Sequence, residues 1–442
     1  MVCVTALVTP GAASSVVTSA PSFAAPKSYA TGGGPLSVAI ADLNADGKPD
    51  LAVANSGEST VSVLLNRGKG SFRQERGYQT GSGPGSVAIR DLSGDGKPDL
   101  VTANSDSDTV SVLVNRGDGS FRPRLDYASG AGPYQVAIGD LNGDRKPDLA
   151  TANADGSTAS VLLNRGDGSF QPRLTFRTGH DPRSLAIGDL NGDRKLDLVT
   201  ANYGADTVSV LLNNGDGTFQ AKLDYRTGSG PRSVVIGDLN RDGKPDLATA
   251  NLNVDVYSVS VLANNGAGSL AAKRDYRTGH GPSSVAIGDL NGDRKPDLAI
   301  ANYYDALNGD ERPGSVSVLA NRGDGIFRAG PYYRAGRGPE SVAIGDLNSD
   351  AKPDVATANS IASTVSVLAS TTGLCTVPDV KRKTLSAARL AIARRNCRVG
   401  KISGAYSKIV KAGRVISETP RPGTTLRKGG KVNLVVSRGH RH

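Results

Sequence analysis

The chain has 442 residues, 55 of them Gly, with no Trp, one Met and a formal net charge of +10. Such a glycine load points to many tight turns rather than long helices, and no run approaches the ~18 apolar residues of a membrane-spanning helix. The charge is divided unevenly. Residues 376–442 carry 17 Lys and Arg against two acids, Asp379 and Glu418, whereas residues 1–375 carry 35 basic residues against 40 acidic ones. That asymmetry argues for two functional units, the smaller directed at something anionic.

Residues 1–20, which include Cys3, are small and mildly apolar, but no Lys or Arg precedes Lys27. They read as a leader or signal remnant without the usual charged start. Residues 21–370 are dominated by a segment that recurs seven times, beginning at Asp42, Asp91, Asp140, Asp189, Asp238, Asp289 and Asp346. It reads DLNADGKPD in the first copy and DLNGDRKPD in the third and sixth, at spacings of 49, 49, 49, 49, 51 and 57 residues. Self-similarity at this period marks a propeller or solenoid. Each unit alternates like four short strands: Ser86–Ile89 before the acidic segment, Leu149–Ala152 after it, Val110–Leu113, and a run from Phe121 to Tyr127. Four strands per repeat make a propeller blade, so the predicted fold is all-β: a seven-bladed propeller over 21–370. The last unit stops at Leu368-Ala369-Ser370 without a fourth strand, and its aromatic signature stands instead at Phe23 and Tyr29. The N-terminal segment is expected to complete that blade and remove an open edge. Cleavage near Ala20 would preserve it, and cleavage after Ala25 would not.

Every acidic segment offers oxygen at positions 1, 3, 5 and 9. The candidate metal ligands are Asp42, Asn44, Asp46 and Asp50; Asp91, Ser93, Asp95 and Asp99; Asp140, Asn142, Asp144 and Asp148; Asp189, Asn191, Asp193 and Asp197; Asp238, Asn240, Asp242 and Asp246; Asp289, Asn291, Asp293 and Asp297; Asp346, Asn348, Asp350 and Asp354. A hard cation such as Ca²⁺ takes six to eight oxygens, and a tight loop gathers alternate side chains around one point. Up to seven calcium ions in structural roles are expected; the alternative is a set of solvated Asx-rich turns. Gly fills position 6 only at Gly47, Gly96 and Gly243, so the loops from Asp42 and Asp238 are expected to bind best.

The acidic loops and the Asn-Arg-Gly-Asp-Gly turns fall on one face of such a ring and barely vary. The opposite face varies, and loops on a rigid scaffold are where binding resides. Its candidate ligand residues are Tyr134, Arg183, Tyr203, Arg232, His280, Tyr303, Tyr304 and Asp305, with His180 and Glu340 nearby. Arg-Gly-Asp at 116–118, 165–167 and 322–324 reads as the hairpin turn rather than an adhesion tripeptide. No nucleophile constellation, phosphate-cradling loop or zinc spacing stands out, so the chain reads as a non-enzyme. The alternative is an extracellular carbohydrate-active enzyme using Asp305, Asp310, Glu311 or His280.

These segments resemble the FG-GAP/VCBS repeats of integrin-α-like propellers over about 21–370. The resemblance implies calcium loops that hold the blade hairpins, and extracellular binding or adhesion to an unspecified glycan or protein.

After a linker at 371–375, residues 376–442 read as a small α+β module: a helix over Thr384–Asn396, strands at Arg398–Tyr406, Gly413–Glu418 and Lys431–Ser437. Cys375 and Cys397 bracket its first part and suggest a disulfide in an oxidising compartment, or else two free thiols. Val377-Pro378-Asp379-Val380, Pro420-Arg421-Pro422-Gly423 and Val432–Gly439 are similar to a PASTA domain. That resemblance implies recognition of peptidoglycan or an anionic wall polymer, and residence outside the cell or at a bacterial cell wall. Nucleic acid is not an expected partner, and a monomer is expected.

Overall fold

The computed structural model describes residues 21–440 apart from 253–256, 305–313, 373, 394 and 428. The leader with Cys3, and Asp305, Asp310 and Glu311, lie outside the described residues. Residues 21–372 and the segment from 374 onward are separate compact units.

Seven four-stranded antiparallel sheets succeed one another in the first unit. Blade 1 comprises Pro35–Ala41, Asp50–Asn55, Thr60–Leu64 and Arg76–Gln79. Blades 2 to 6 repeat this order, starting at Pro84, Pro133, Pro182, Pro231 and Pro282. Blade 7 takes Pro339–Gly345, Asp354–Asn359 and Thr364–Leu368 and borrows Lys27–Ala30 as its outer strand, in register Lys27↔Val367 and Tyr29↔Val365. The propeller is therefore all-β and closed by its own N-terminal segment, so no inner edge is left to pair elsewhere.

The cores lie between blades. Val38, Leu51, Leu64 and Phe72 of blade 1 pack with Leu347, Ala356 and Val365 of blade 7, and every other propeller cluster likewise joins two neighbours. No blade buries its apolar side chains alone, the general logic of repeat folds.

The fourth strand departs from the run expected between Phe121 and Tyr127. It is only Leu125–Ala128, and Phe121 instead makes an isolated bridge to Asn115. The two aromatic residues of a repeat serve different neighbours. Tyr78 of blade 1 meets Phe121 of blade 2 edge to face, Tyr127 meets Phe170, Phe176 meets Phe219, Tyr276 meets Phe327, and Tyr29 meets Phe72, with ring centroids 5.1–5.4 Å apart. Phe23 and Tyr333 complete the circle at 4.9 Å. Where Leu270 replaces the ring, Tyr225 still packs beside it. Such pairs contribute roughly 0.5–1.5 kcal/mol each beyond area burial.

A polar network runs through each blade. Asn104 on the second strand donates to Ser111 Oγ (2.8 Å) and Thr109 Oγ1 (3.1 Å), and accepts from Thr102 (2.8 Å). It also fills the space beside the interblade glycine: a Cβ on the equivalent Gly130 would lie 2.3 Å from Asn153 Nδ2. Thr151, Thr200, Thr249 and Thr357 repeat the donation to their Asn at 2.8–3.0 Å. Val53 and Ile300 stand at this position in blades 1 and 6, and there the Asn oxygens, Asn55 Oδ1 and Asn302 Oδ1, are buried without a partner.

In the second unit, Leu385–Ala393 is helical, capped by Thr384 Oγ1 accepting from Ala387 N (3.3 Å). It ends before the predicted Asn396, which adopts the left-handed φ of 58° common beyond helix C-termini. Strand Lys431–Ser437 pairs in parallel with Arg398–Ala405 and antiparallel with Val415–Thr419. Cys375 and Cys397 are joined in a disulfide, Cα atoms 4.6 Å apart, within a core of Val377, Val380, Ile392, Val415 and Leu434.

Replacing Val53 by Thr gives Asn55 Oδ1 its missing donor. We predict a change between neutral and about 1 kcal/mol of stabilisation, read by denaturant titration. The same substitution at Val61 in the same blade, where no acceptor waits, is expected to cost about 1–3 kcal/mol.

Candidate functional site: acidic loops and the channel mouth

The nine-residue acidic segments join the first and second strands. Their position-9 carboxylates turn into the blade. Asp50 is wholly buried; its Oδ2 accepts from Leu43 N (2.9 Å) and its Oδ1 from Asn66 N (2.7 Å). Asp99, Asp148, Asp197, Asp246 and Asp297 make the same two bonds in their own blades. Asp354 uses Ser370 in place of Asn. The Asn then reaches the preceding blade: Asn115 Nδ2 donates to Leu43 O (2.9 Å), and Asn66 to Leu347 O (2.9 Å). Burial pushes these carboxyls up, to about 6 for Asp50, Asp148 and Asp354 and to about 7 for Asp297, with repulsion from the position-1 and position-5 Asp adding to it.

The rest of each loop closes on itself. Asp42 accepts from the amides of Asp46 (3.1 Å) and Gly47 (2.8 Å), and Asn44 Oδ1 from Asp46 N (3.1 Å). Asp91, Asp140, Asp189, Asp238, Asp289 and Asp346 play the part of Asp42. Asn142, Asn191, Asn240 and Asn291 play that of Asn44. The position-5 carboxylates of Asp46, Asp95, Asp144, Asp193, Asp293 and Asp350 pair with the Lys two residues on, at 2.9–3.9 Å. Asp242 caps Lys244 N at 3.0 Å. Among the described residues no three acidic side chains already converge as a cage. The donor set still suits a hard cation, because Ser93 Oγ, Asp293 Oδ2 and Asn348 Oδ1 are buried without hydrogen-bond partners.

Position 6 is left-handed in every loop, at φ 60–84° from Ala351 to Gly243, as its glycines suggested. Position 4 is left-handed too, with Ala45, Arg241 and Ser349 among its occupants. The two loops expected to bind best therefore carry a non-glycine at position 4, at a cost of roughly 1 kcal/mol each. Only the loop from Asp91 has Gly at both, and that loop has Ser93 in place of Asn.

At the other end of the first strands lies the mouth of the channel. Each first strand opens with Pro, and in each the ladder skips the next residue: register shifts between Pro35 and Ser37, and likewise in the other six blades. A bulge frees one residue from the ladder and re-aims its side chain. The seven freed residues are Leu36, Gly85, Tyr134, Arg183, Arg232, Ser283 and Glu340, and all line one recess of about 70 Å³. The residue after the bulge is Ser in six blades. It accepts from the next blade's backbone, as Ser86 Oγ does from Val136 N (2.9 Å); Gln135 does the same for Leu185 N (2.8 Å).

Side chains cross the mouth. Arg232 of blade 5 contacts Glu340 of blade 7 and the Tyr134 hydroxyl of blade 3, both at 3.0 Å. Burial works against the guanidinium charge, but Tyr134 and Glu340 outweigh it and raise the Arg232 pKa; burial likewise raises Glu340. Arg183 lies between the Tyr134 and Tyr203 rings, at 5.0 and 5.4 Å, and is held edge-on by Asp181 at 2.7 Å. Thus Tyr134, Arg183, Tyr203 and Arg232, predicted from sequence, come together with Glu340. Tyr203 stands beside the recess through its contact with Arg183 rather than in its lining. His280, Tyr303 and Tyr304 do not line the recess either: His280 packs on Tyr257 (4.9 Å) and Tyr303 on Tyr304 (4.8 Å). Sequence reasoning missed Asp181 and Gln135. Aligning the seven Pro-x-Ser/Gln triplets would have shown their middle column to be the most variable. Asp118 of the first Arg-Gly-Asp is bonded to Ser120 N (2.9 Å), which fits a hairpin turn.

FG-GAP-like repeats match residues 42–102, 91–151, 140–200 and 189–249, FG-GAP repeats match 230–271 and 281–319, and a PASTA domain matches 376–438. A probable serine/threonine-protein kinase of Clostridium acetobutylicum is 41% identical over 64 residues, 14% of this chain and 10% of that protein. The chain thus spans about a tenth of that relative. Among solved structures, BBS1N bound to ARL6DN aligns with TM-score 0.56 and 12% identity, over 80% of this chain and 98% of that one. Kuenenia stuttgartiensis hydrazine synthase gives 0.55 and 17% over 77% and 96%. Virginiamycin B lyase from Staphylococcus aureus gives 0.52 and 13% over 79% and 99%. At these identities the likeness is one of fold.

The raised position-9 carboxyls predict an inverted acid response. The folded state takes up protons that the unfolded chain, with carboxyls near 4, does not. In calcium-free buffer these groups make the propeller more stable as pH falls from about 7.5 to about 5. Calorimetric melting temperatures across that range check the sign; a fall in Tm over the same window would refute it.

Proposed function

For this chain, which belongs to the FG-GAP repeat proteins and carries a C-terminal PASTA domain, we propose the role of a secreted or cell-surface binding protein. The propeller presents a ligand site at the channel mouth, and the tail holds the molecule to peptidoglycan or an anionic wall polymer. The observation that carries the first half is the bulge in every blade. It delivers one unpaired residue per blade, of six different types over the seven, to a single recess, while the flanking Pro and Ser/Gln positions keep the frame. The second half rests on the PASTA match and on 17 basic residues against two acids over 376–442, a surface that attracts anionic polymers. None of the described helices is long and apolar enough to cross a membrane.

Binding is favoured over catalysis. A recess of about 70 Å³ is far below the ~300 Å³ of pockets that enclose a substrate, and Glu340, a carboxylate within it, is committed to Arg232.

Calcium in the acidic loops would serve rigidity. Asp, Asn and Ser oxygens at positions 1, 3, 5 and 9 would hold it, trading part of their internal hydrogen bonds and Lys pairing for coordination. Millimolar calcium is expected to raise the melting temperature and to flatten the pH response described above; identical melting curves with and without calcium would remove the metal from the reading.

Co-sedimentation with purified peptidoglycan tests the anchor. The full chain is expected to sediment, and a chain ending at residue 372 to remain in solution. Equal sedimentation of both would move wall binding to the propeller, and sedimentation of neither would abolish it.

A further inference from the structure

Building on the channel mouth as the ligand site, we infer that its ligand is an uncharged saccharide, with a terminal sugar lying on Tyr203 and its hydroxyls reaching into the recess. The argument begins with charge. The mouth holds two guanidinium groups, and each is matched. Arg183 makes a two-pronged contact with Asp181, Nε to Oδ1 at 2.7 Å and Nη2 to Oδ2 at 3.1 Å. Arg232 is paired with Glu340 at 3.0 Å, with side chains 18% and 10% exposed. A phosphate, sulfate or carboxylate would have to compete with Asp181 or Glu340 for its guanidinium, and an ammonium group with Arg183 or Arg232 for its carboxylate. Breaking the largely enclosed Arg232–Glu340 pair strands the released charge and is costly. The recess therefore selects against ions of either sign.

What it offers instead is a set of fixed hydrogen-bonding groups beside an aromatic plane. The Tyr134 hydroxyl accepts from Arg232 and keeps its own proton to donate. Arg183, over the rings of Tyr134 and Tyr203 and paired with Asp181, is held from three sides. Tyr203 is 36% exposed, the outer member of that stack. An amphipathic aromatic face beside polar edges suits a molecule with a C–H face and a rim of hydroxyls. The small recess limits entry to a projecting part of such a ring, so the contact falls on a chain end rather than on the interior of a polymer.

The test uses the full chain, in calcium-containing buffer, on an array of neutral oligosaccharides printed beside sialylated, uronic-acid and sulfated ones, followed by titration calorimetry with the strongest binder. Binding is expected to be confined to neutral glycans and to change less than about twofold between roughly 0.05 and 0.5 M NaCl, because no net charge is screened. Tyr203→Ala is expected to weaken it by about ten-fold or more at unchanged melting temperature, and Tyr203→Phe to retain it. Preference for the anionic glycans, binding to no glycan, or full affinity in Tyr203→Ala each overturns the saccharide assignment. Wall co-sedimentation depends on the tail, and a mouth that captures protein through Tyr203 would keep the binding reading while sinking this one.

Discussion

The propeller depends on one carboxylate per blade. The aspartate that opens each second strand is buried, yet both its oxygens are used, one by the amide that begins the acidic loop and one by the amide that begins the turn between the third and fourth strands. Two connections that would otherwise diverge are clamped at one point. The clamped Asn spends its side chain on the neighbouring blade's loop. A local hydrogen bond is thereby converted into ring geometry. A buried carboxylate with two amide donors is an expensive group well satisfied, and losing any of the three partners would leave a charge or an amide stranded. The last blade shows how firmly the arrangement is held: lacking the Asn, it assigns Ser370 to the carboxylate and Thr372 to the carbonyl of Leu290.

Above this clamp the two ends of the ring have separate duties. The acidic-loop end is nearly constant from blade to blade and is occupied with its own hydrogen bonds and lysine pairs. The opposite end varies, and the variation sits where the backbone can tolerate it. The cross-channel contacts of Tyr134, Arg232 and Glu340 join blades that are not sequence neighbours, so the mouth is fixed by tertiary contact as well as by strand order.

Much of this was legible in the sequence because the period is so regular. The first three strands of each unit, the borrowed outer strand and the grouping of variable residues on one face all follow from a segment seen seven times. Other features were hidden for physical reasons. Spacing alone says nothing about which neighbour a side chain faces, so Phe121 and Tyr127 read as partners in one strand when each belongs to a different interface. Left-handed backbone at position 4 was legible and passed over: glycine holds it in four loops, at Gly94, Gly143, Gly192 and Gly292, against three at position 6. Asp50 and its counterparts read only as loop ligands because a string of acids does not reveal that the ninth carboxylate also accepts two backbone amides within the blade. The tail module was legible through its turn residues, with only the helix end misplaced.

The bulge after each proline has a consequence for how such a protein can change. A residue excluded from the ladder carries no strand pairing: Leu, Gly, Tyr, Arg, Ser and Glu all occupy the position without altering the strands on either side. The mouth is in effect a set of seven letters mounted on a fixed frame, some of them tied to one another: Arg232 and Glu340 have to change together, and a side chain at Gly85 would come within 2.7 Å of the Tyr134 carbonyl. New specificities could be written there by drift or by design without redrawing the strands beneath.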